Sequence, residues 1–284
     1  MERFGRSRVI DTPICENGFL GVALGMSVTG LRPVVEILFA DFLPTAGDAL
    51  MNQIPKFRFM SGGQTEVPIT IRAIGGGSGR FGAQHSATAE SWFIQAAGLS
   101  ICAAASPASA YGLLRRAIRH PDPVLILEHK ALFGLREPLD RGDAAISPFG
   151  QAEVRRRGSD VTVVASLLMV QRALEAAGLL AGEGIEVEVI DLRWISPMDV
   201  LTIRASLERT GRLVVVEEQY HDGGWGSALI SRLVMSGVAL RTPPAAVSMR
   251  QGIPMPFSPP LEDLVMPSVD RIAASIRATA LSGR

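Results

Sequence analysis

Residues 160–191 read DVTVVASLLMVQRALEAAGLLAGEGIEVEVID. Two β-branched runs, 160–166 and 185–191, enclose a stretch near 169–183 in which apolar residues recur every three or four positions. The segment therefore reads strand, helix, strand. Strands joined by a helical crossover lie parallel, so this unit predicts a parallel sheet with helices against its faces. The pattern continues outward through a helix near 197–209, the run RLVVVEE (212–218), and a helix beginning near Gly224. PPAAVSM (243–249) reads as a last strand and 268–281 as a closing helix. Between them, QGIPMPFSPPLED (251–263) is rich enough in proline to predict a surface loop.

The same alternation runs toward the N-terminus. VVEILF (34–39), VPITIRA (67–73), LSICAAA (99–105) and PVLILE (123–128) are the strand-like runs. Between the last two, PASAYGLLRRAIR (107–119) has helical spacing, with Ser106 placed to cap it and Pro107 in its first turn. After Lys130 the periodicity stops, and turns, charge and Pro148 follow. We expect an α/β protein of two doubly wound domains with mainly parallel sheets: residues 1–134, a linker over 135–158, and residues 159–284.

Composition narrows the possible functions. Of 284 residues, 47% are hydrophobic but only 6% aromatic, which suits a core of Ala, Val, Leu and Ile. Twenty-eight basic residues balance 28 acidic ones, so no net field would gather nucleic acid or an anionic membrane. Binding must come from shaped sites. Two cysteines do not make a disulfide framework, and the start MERFGRSR leads into no signal-peptide core, so the expected compartment is the cytoplasm.

Gly77–Gly82, GSGRFG, spells GxGxxG after a predicted strand. A dinucleotide site also needs a helix directly after the glycines and an acid at the end of the next strand, and that strand ends in Ala105 and Ser106. No Lys-Ser or Lys-Thr follows for a phosphate loop. Two readings remain: a flexible surface loop, or an active-site loop that delivers His85. The four histidines (85, 120, 129 and 221) show no metal-ligand spacing, and no metal site is expected. His120 reads as a polar helix end, and Arg155–Arg157 before Gly158 as a solvated turn.

Glu16, in DTPICENGFLG (11–21), opens a stretch apolar on nearly every face. One account makes it an acid in a first helical turn, complementing the macrodipole. Another makes it the mouth of a buried helix, where desolvation would let a carboxyl hold a proton near neutrality. The residues alone leave both open.

The blocks RVIDTPICENGFLGVALG, GLRPVVEILFADF, FRFMSGGQTEVPITIR, GAQHS, SWFIQAAGL, HPDPVLILEHK, VIDLRWISPMD and VVVEEQYHDGGWGS, in that order, resemble the β subunit of thiamin-diphosphate-dependent 2-oxo acid dehydrogenases, in the pyruvate and acetoin branches. The resemblance covers nearly the whole chain. It implies a transketolase-like pyrimidine-binding domain followed by a transketolase-type C-terminal domain. It implies that Glu16 hydrogen-bonds N1′ of the cofactor's aminopyrimidine and so favours the imino tautomer. Ile14 and Leu38 become apolar neighbours of the cofactor, Phe42 stacks against the aminopyrimidine, and His85 handles the acyl intermediate or incoming lipoyl group. Leu38 stands where some branched-chain relatives carry glutamine, which points away from that substrate class.

The family holds pyrophosphate and magnesium with a GDG and a later NN, and neither occurs here. The resemblance therefore implies an α subunit that carries Mg2+, an α2β2 assembly, a lipoyl acyltransferase partner, and a small 2-oxo acid as substrate. Alternatives are acetoin dehydrogenase, another transketolase-like enzyme, or an inactive shortened subunit. Family members have a further helix and strand ahead of the segment matched by RFGRSRVIDTP. From this we expect an uncovered edge or a gap in the first sheet, arising from a start site set downstream or from a shortened relative.

Overall fold

The computed structural model describes residues 2–282, which form two five-stranded sheets with helices packed against them. The first sheet contains β1 (Val34–Ile37), β2 (Thr70–Gly75), β3 (Ser100–Ala103), β4 (Val124–His129) and β8 (Trp194–Ser196), in the order β1-β2-β4-β3-β8. The second contains β5 (Glu153–Arg156), β6 (Val161–Ala165), β7 (Val187–Asp191), β9 (Leu213–Tyr220) and β10 (Ala245–Met249), in the order β10-β9-β6-β7-β5. Strands β1, β2, β3 and β4 pair in parallel, as do β6, β7, β9 and β10. Every residue of β4, β6 and β7 is buried, as expected for sheets covered on both faces. β1 and β8 are the edges of the first sheet.

Helix boundaries follow local chemistry. The helix α3 (Pro107–Arg119) starts where the Ser106 hydroxyl accepts from Ser109 N at 3.2 Å, with Ser109 reciprocating, and ends at His120. The helix α5 (Val200–Thr210) is capped by Asp199, whose carboxylate accepts from Thr202 N at 3.0 Å. It stops at Gly211, which takes a left-handed φ of 64°. The other helices include α1 (Glu16–Val28), the short α2 (Ile54–Met60), α4 (Leu168–Ala181), α6 (Trp225–Met235) and α8 (Val269–Leu281).

Four sequence expectations need correction. The linker is not free of regular structure: its end forms β5, which pairs antiparallel with β7. Arg155 and Arg156 accordingly lie in a strand, and of the run expected as a solvated turn only Arg157 is exposed. Arg156 pairs with Glu186 at 2.8 Å and Arg157 reaches buried Glu188 at 3.7 Å. The proline-rich stretch is not wholly a loop either. Ser258 and two prolines in the first turn open a short helix, α7 (Pro259–Val265), which buries Glu262 completely. Finally, α1 is not a buried helix. It buries Leu20, Ala23 and Ser27, while Val22 stays 62% exposed.

A short strand not legible in the sequence stitches the halves together. β8, from the second half of the chain, pairs antiparallel with β3 in the first sheet, and Trp194 Nε1 donates to Pro148 O at 3.1 Å. One apolar cluster accordingly runs from Leu20 and Ile71 in the first half to Leu192, Ile195 and Leu229 in the second. The site described next lies where the two halves meet.

Candidate active site

Three segments of the first half converge: residues 38–46, the glycine-rich loop after β2, and the end of β4. Phe39 precedes a 3-10 helix (Ala40–Ala46) that carries Phe42, and the two rings meet edge to face with centroids 6.0 Å apart. His85, at the end of the glycine-rich loop, sets its ring edge-on to both, 4.8 Å from Phe39 and 5.5 Å from Phe42. Such T-shaped contacts are the favoured geometry for ring quadrupoles. Phe81 leans on Phe39 from the same loop, with centroids 6.2 Å apart.

Lys130, the first residue beyond β4, closes this cluster. Its ammonium lies 4.6 Å from the Phe81 ring centroid and 5.5 Å from that of Phe39, and it donates to the carbonyl of His85. Partial burial holds its pKa below the usual lysine range, against the opposing pull of Asp41, Glu218 and Glu262. Asp41 braces the loop just beyond the histidine, accepting from Ala87 N at 3.2 and 3.3 Å.

Of the residues singled out in the sequence, His85 and Phe42 are brought into contact. Leu38 adjoins Phe39 in the chain and is 58% exposed. Ile14 is 83% exposed. Glu16 occupies the first turn of α1, as the dipole account requires, and among the described residues its carboxylate has no hydrogen-bond or ion-pair partner. The helix behind it packs against the 3-10 segment that bears Phe42. The desolvated helix mouth is not what the single chain shows, because α1 presents Val22 outward, where none of the described elements covers it.

Phe39, Asp41, Phe81 and Lys130 were not picked out from sequence. Lys130 had a usable signal: a cation directly after the C-terminal end of a parallel strand, where strand ends commonly carry function in α/β folds.

A buried polar layer lies behind the cluster, where β9 meets the first half. Glu218 Oε2 is 2.8 Å from His129 Nε2, and Glu218 Oε1 accepts from Gly77 N at 2.5 Å. Glu90 accepts from Ser166 at 2.7 Å and from Gln219 at 2.9 Å. Burial raises the pKa of Glu90, and pushes that of Glu217 up to about 8. A cavity of about 350 Å3 opens here, lined among others by Asp41, Ser86, Trp92, Glu218 and Asp222. A larger depression, about 820 Å3, lies around Phe59, His120 and Phe149, and none of the sequence-predicted site residues lines it.

The donor set fits one half of thiamin diphosphate. A carboxylate without a partner among the described residues, two aromatic rings and exposed aliphatic side chains are groups that suit an aminopyrimidine, which offers ring nitrogens at its edge and two flat faces. No cluster of three or more His, Cys, Asp or Glu side chains suited to a metal is present among the described residues. The diphosphate and its cation would need groups from elsewhere.

Residues 1–135 match the family described as transketolase, pyrimidine binding domain, and residues 150–272 match transketolase, C-terminal domain. The chain is 42% identical to the acetoin:2,6-dichlorophenolindophenol oxidoreductase subunit beta of Cupriavidus necator, over 98% of this chain and 82% of that protein. It is 39% identical to the Bacillus subtilis protein of the same name, over 96% of this chain and 80% of that one. It is 38% identical to the pyruvate dehydrogenase E1 component subunit beta of Rhizobium meliloti, over 98% of this chain and 60% of that protein. Among solved structures, a split gene transketolase described as an inactive beta4 tetramer superposes with a TM-score of 0.78. It covers 95% of this chain and 83% of that one at 24% identity, a likeness of fold.

Proposed function

The chain belongs to the transketolase family of paired pyrimidine-binding and C-terminal domains, and on that premise we propose that it is the β subunit of a thiamin-diphosphate-dependent 2-oxo acid dehydrogenase. It acts with an α subunit in an α2β2 assembly and passes an acyl group to lipoamide. The observation that carries this reading is the cluster of Phe39, Phe42 and His85 beside a helix whose first turn holds an unpartnered Glu16. When bound, thiamin diphosphate supplies the nucleophilic carbon and electron sink that decarboxylation requires.

This chain's residues then have defined tasks. Glu16 holds a proton at N1′ of the aminopyrimidine, with Phe42 against the ring and Ile14 and Leu38 as its apolar neighbours. His85 stands ready to give or take a proton at the acyl-bearing or lipoyl sulfur end of the site. Lys130 and Asp41 hold the loop that carries it. The diphosphate and Mg2+ belong to the α subunit.

The outward apolar face of α1 is consistent with a partner that completes the site there, and docking of an acyltransferase belongs on the same assembly. No helix among the described residues is long and apolar enough to cross a membrane. Co-expression with a matching α subunit, followed by assay of pyruvate oxidation with and without thiamin diphosphate and Mg2+, tests the proposal. Activity independent of the cofactor would overturn it. The Cupriavidus relative favours acetoin as a second substrate class, and product analysis separates acetyl transfer from pyruvate from acetoin cleavage.

A further inference from the structure

The glycine-rich loop reads in the sequence as a flexible surface segment or an active-site loop, and the structure shows it fastened at three successive points to the C-terminal half. Gly77 N donates to Glu218 on β9. The Ser78 hydroxyl accepts from Arg172 Nη2, on α4, at 3.0 Å. Arg80 donates from its backbone N (3.2 Å) and from Nη1 (2.8 Å) to the same Glu262 oxygen, and its guanidinium reaches Pro259 O at 3.0 Å and Asp263 at 2.9 Å. All three acceptors of Arg80 lie on α7.

Two features show that this fastening holds the loop against its own preferences. Ser78 and Arg80 take φ values of 63° and 61°, left-handed backbone that non-glycine residues avoid. Glu262 is wholly buried on a short helix near the surface, an arrangement that desolvation opposes unless a cation answers it. Arg80 is that cation. Downstream, the chain turns at Gly82, where His85 N donates to Gly82 O at 3.4 Å, and His85 then meets Phe39 and Phe42.

The geometry points to Arg80 and Glu262 as positioning residues: the C-terminal half sets the place of His85 through a latch on residues 77–80. This rests on the proposed role of His85 in acyl transfer and adds the device that orients it. The histidine's immediate supports, Lys130 and Asp41, come from the first half, so its position reports how the two halves are joined.

The test uses the assembled α2β2 enzyme with Arg80→Gly, Glu262→Gln and His85→Ala. Arg80→Gly relieves the left-handed backbone while removing the latch, so a loss cannot come from added strain. Reduction of 2,6-dichlorophenolindophenol reads the steps before acyl transfer, and acylation of a lipoyl domain reads the transfer. Hydrogen exchange reads the order of residues 76–86. The latch predicts that Arg80→Gly lowers lipoyl acylation tenfold or more, keeps dye reduction within twofold, and speeds exchange over 76–86. Glu262→Gln, which keeps an acceptor, falls between it and the wild type.

Faster exchange with acylation unchanged overturns the proposal, as does equal loss of both reactions or no change at all. If His85→Ala leaves acylation intact, the role of His85 is wrong. If His85→Ala impairs acylation and Arg80→Gly does not, only the latch is wrong. Should the wild-type assembly perform neither reaction, the reading of function fails. The latch is then judged by the imidazole NMR resonance of His85, which Arg80→Gly shifts if the latch orients that ring and leaves in place if it does not.

Discussion

His129 Nε2 lies 2.8 Å from Glu218 Oε2, with both side chains buried, and this pair ties the end of β4 to β9. The second oxygen of Glu218 is used as well, by the amide of Gly77. One carboxylate thus serves two buried donors in the other half of the molecule, and the active-site loop starts at one of them.

Glu218→Ala therefore strands the imidazole and the Gly77 amide together. Breaking a buried, hydrogen-bonded pair from one side costs more than the pair itself contributes, and we expect a loss of about 3 kcal/mol in urea unfolding. Glu218→Gln keeps one acceptor and should lose less than half of that. Equal losses in the two variants would show that packing, not hydrogen bonding, is what Glu218 supplies.

Glu217, next on the same strand, gives stability a pH dependence. Its folded pKa is about 8 against an ordinary 4.5, because burial disfavours the anion. Asp191, likewise buried, is raised to about 7. Raised carboxyl pKa values mean that the folded state holds the proton more tightly than the unfolded one. The contribution is full below pH 4.5 and lost as pH rises through 8. The melting temperature should fall between pH 6 and pH 9, and Glu217→Gln should flatten that slope, with a gain on the order of 3 kcal/mol at pH 9. A slope unchanged by the substitution would assign the effect to other groups.

The parallel strands were legible because burial on both faces writes itself as unbroken β-branched runs, as in VTVVA of β6 and LVVV of β9. The helix α3 was legible because Ser106 carries its capping function locally. What escaped detection was decided by distant partners. WIS of β8 is too short for periodicity and becomes a strand only because β3 offers an edge. Ser258-Pro-Pro looked like loop chemistry, yet it opens α7 because Glu262 has Arg80 to meet. At the site, Glu16 and His85 stood out in the residues and took their roles from the resemblance, Phe42 came from the resemblance alone, and Phe39 and Phe81 gain meaning only once the loop folds back on β4.

Glycines in the same loop should respond unequally to alanine. Gly76 has φ 91°, and a Cβ there would lie 2.0 Å from His129 Nε2, so Gly76→Ala must both adopt a disfavoured backbone and displace the His129–Glu218 pair. At Gly82, φ is 74° but the nearest atom to a new Cβ is 3.5 Å away, leaving the backbone term alone. We expect losses of about 3 kcal/mol or more at Gly76 and about 1–2 kcal/mol at Gly82 by thermal denaturation. Equal losses would mean that the pair yields easily.

The outward face of α1 predicts a separation of stability from assembly. Val22 is 62% exposed in the chain alone, so Val22→Asp should change its unfolding free energy by no more than about 0.5 kcal/mol. If an α subunit covers that face, the same substitution buries an unpaired charge in the complex. Co-purification with the α subunit should then fail, and retention of the complex would place the interface elsewhere.

Glu16→Gln separates the two accounts of the residue that opens α1. As a first-turn acid it contributes at most about 1 kcal/mol through the helix dipole, and it has no partner among the described residues to lose. The dipole account alone thus predicts a nearly unchanged melting temperature and unchanged turnover in the α2β2 assembly. The proton-partner account predicts the same small change in stability with turnover lower by about 10²–10⁴, since glutamine matches the shape but cannot share a proton with N1′. On that account thiamin diphosphate binding should survive in part, through the contacts proposed for Phe42 and the α subunit. Measuring turnover and cofactor affinity on one preparation distinguishes loss of proton sharing from loss of the site, and full turnover would leave Glu16 with the dipole role alone.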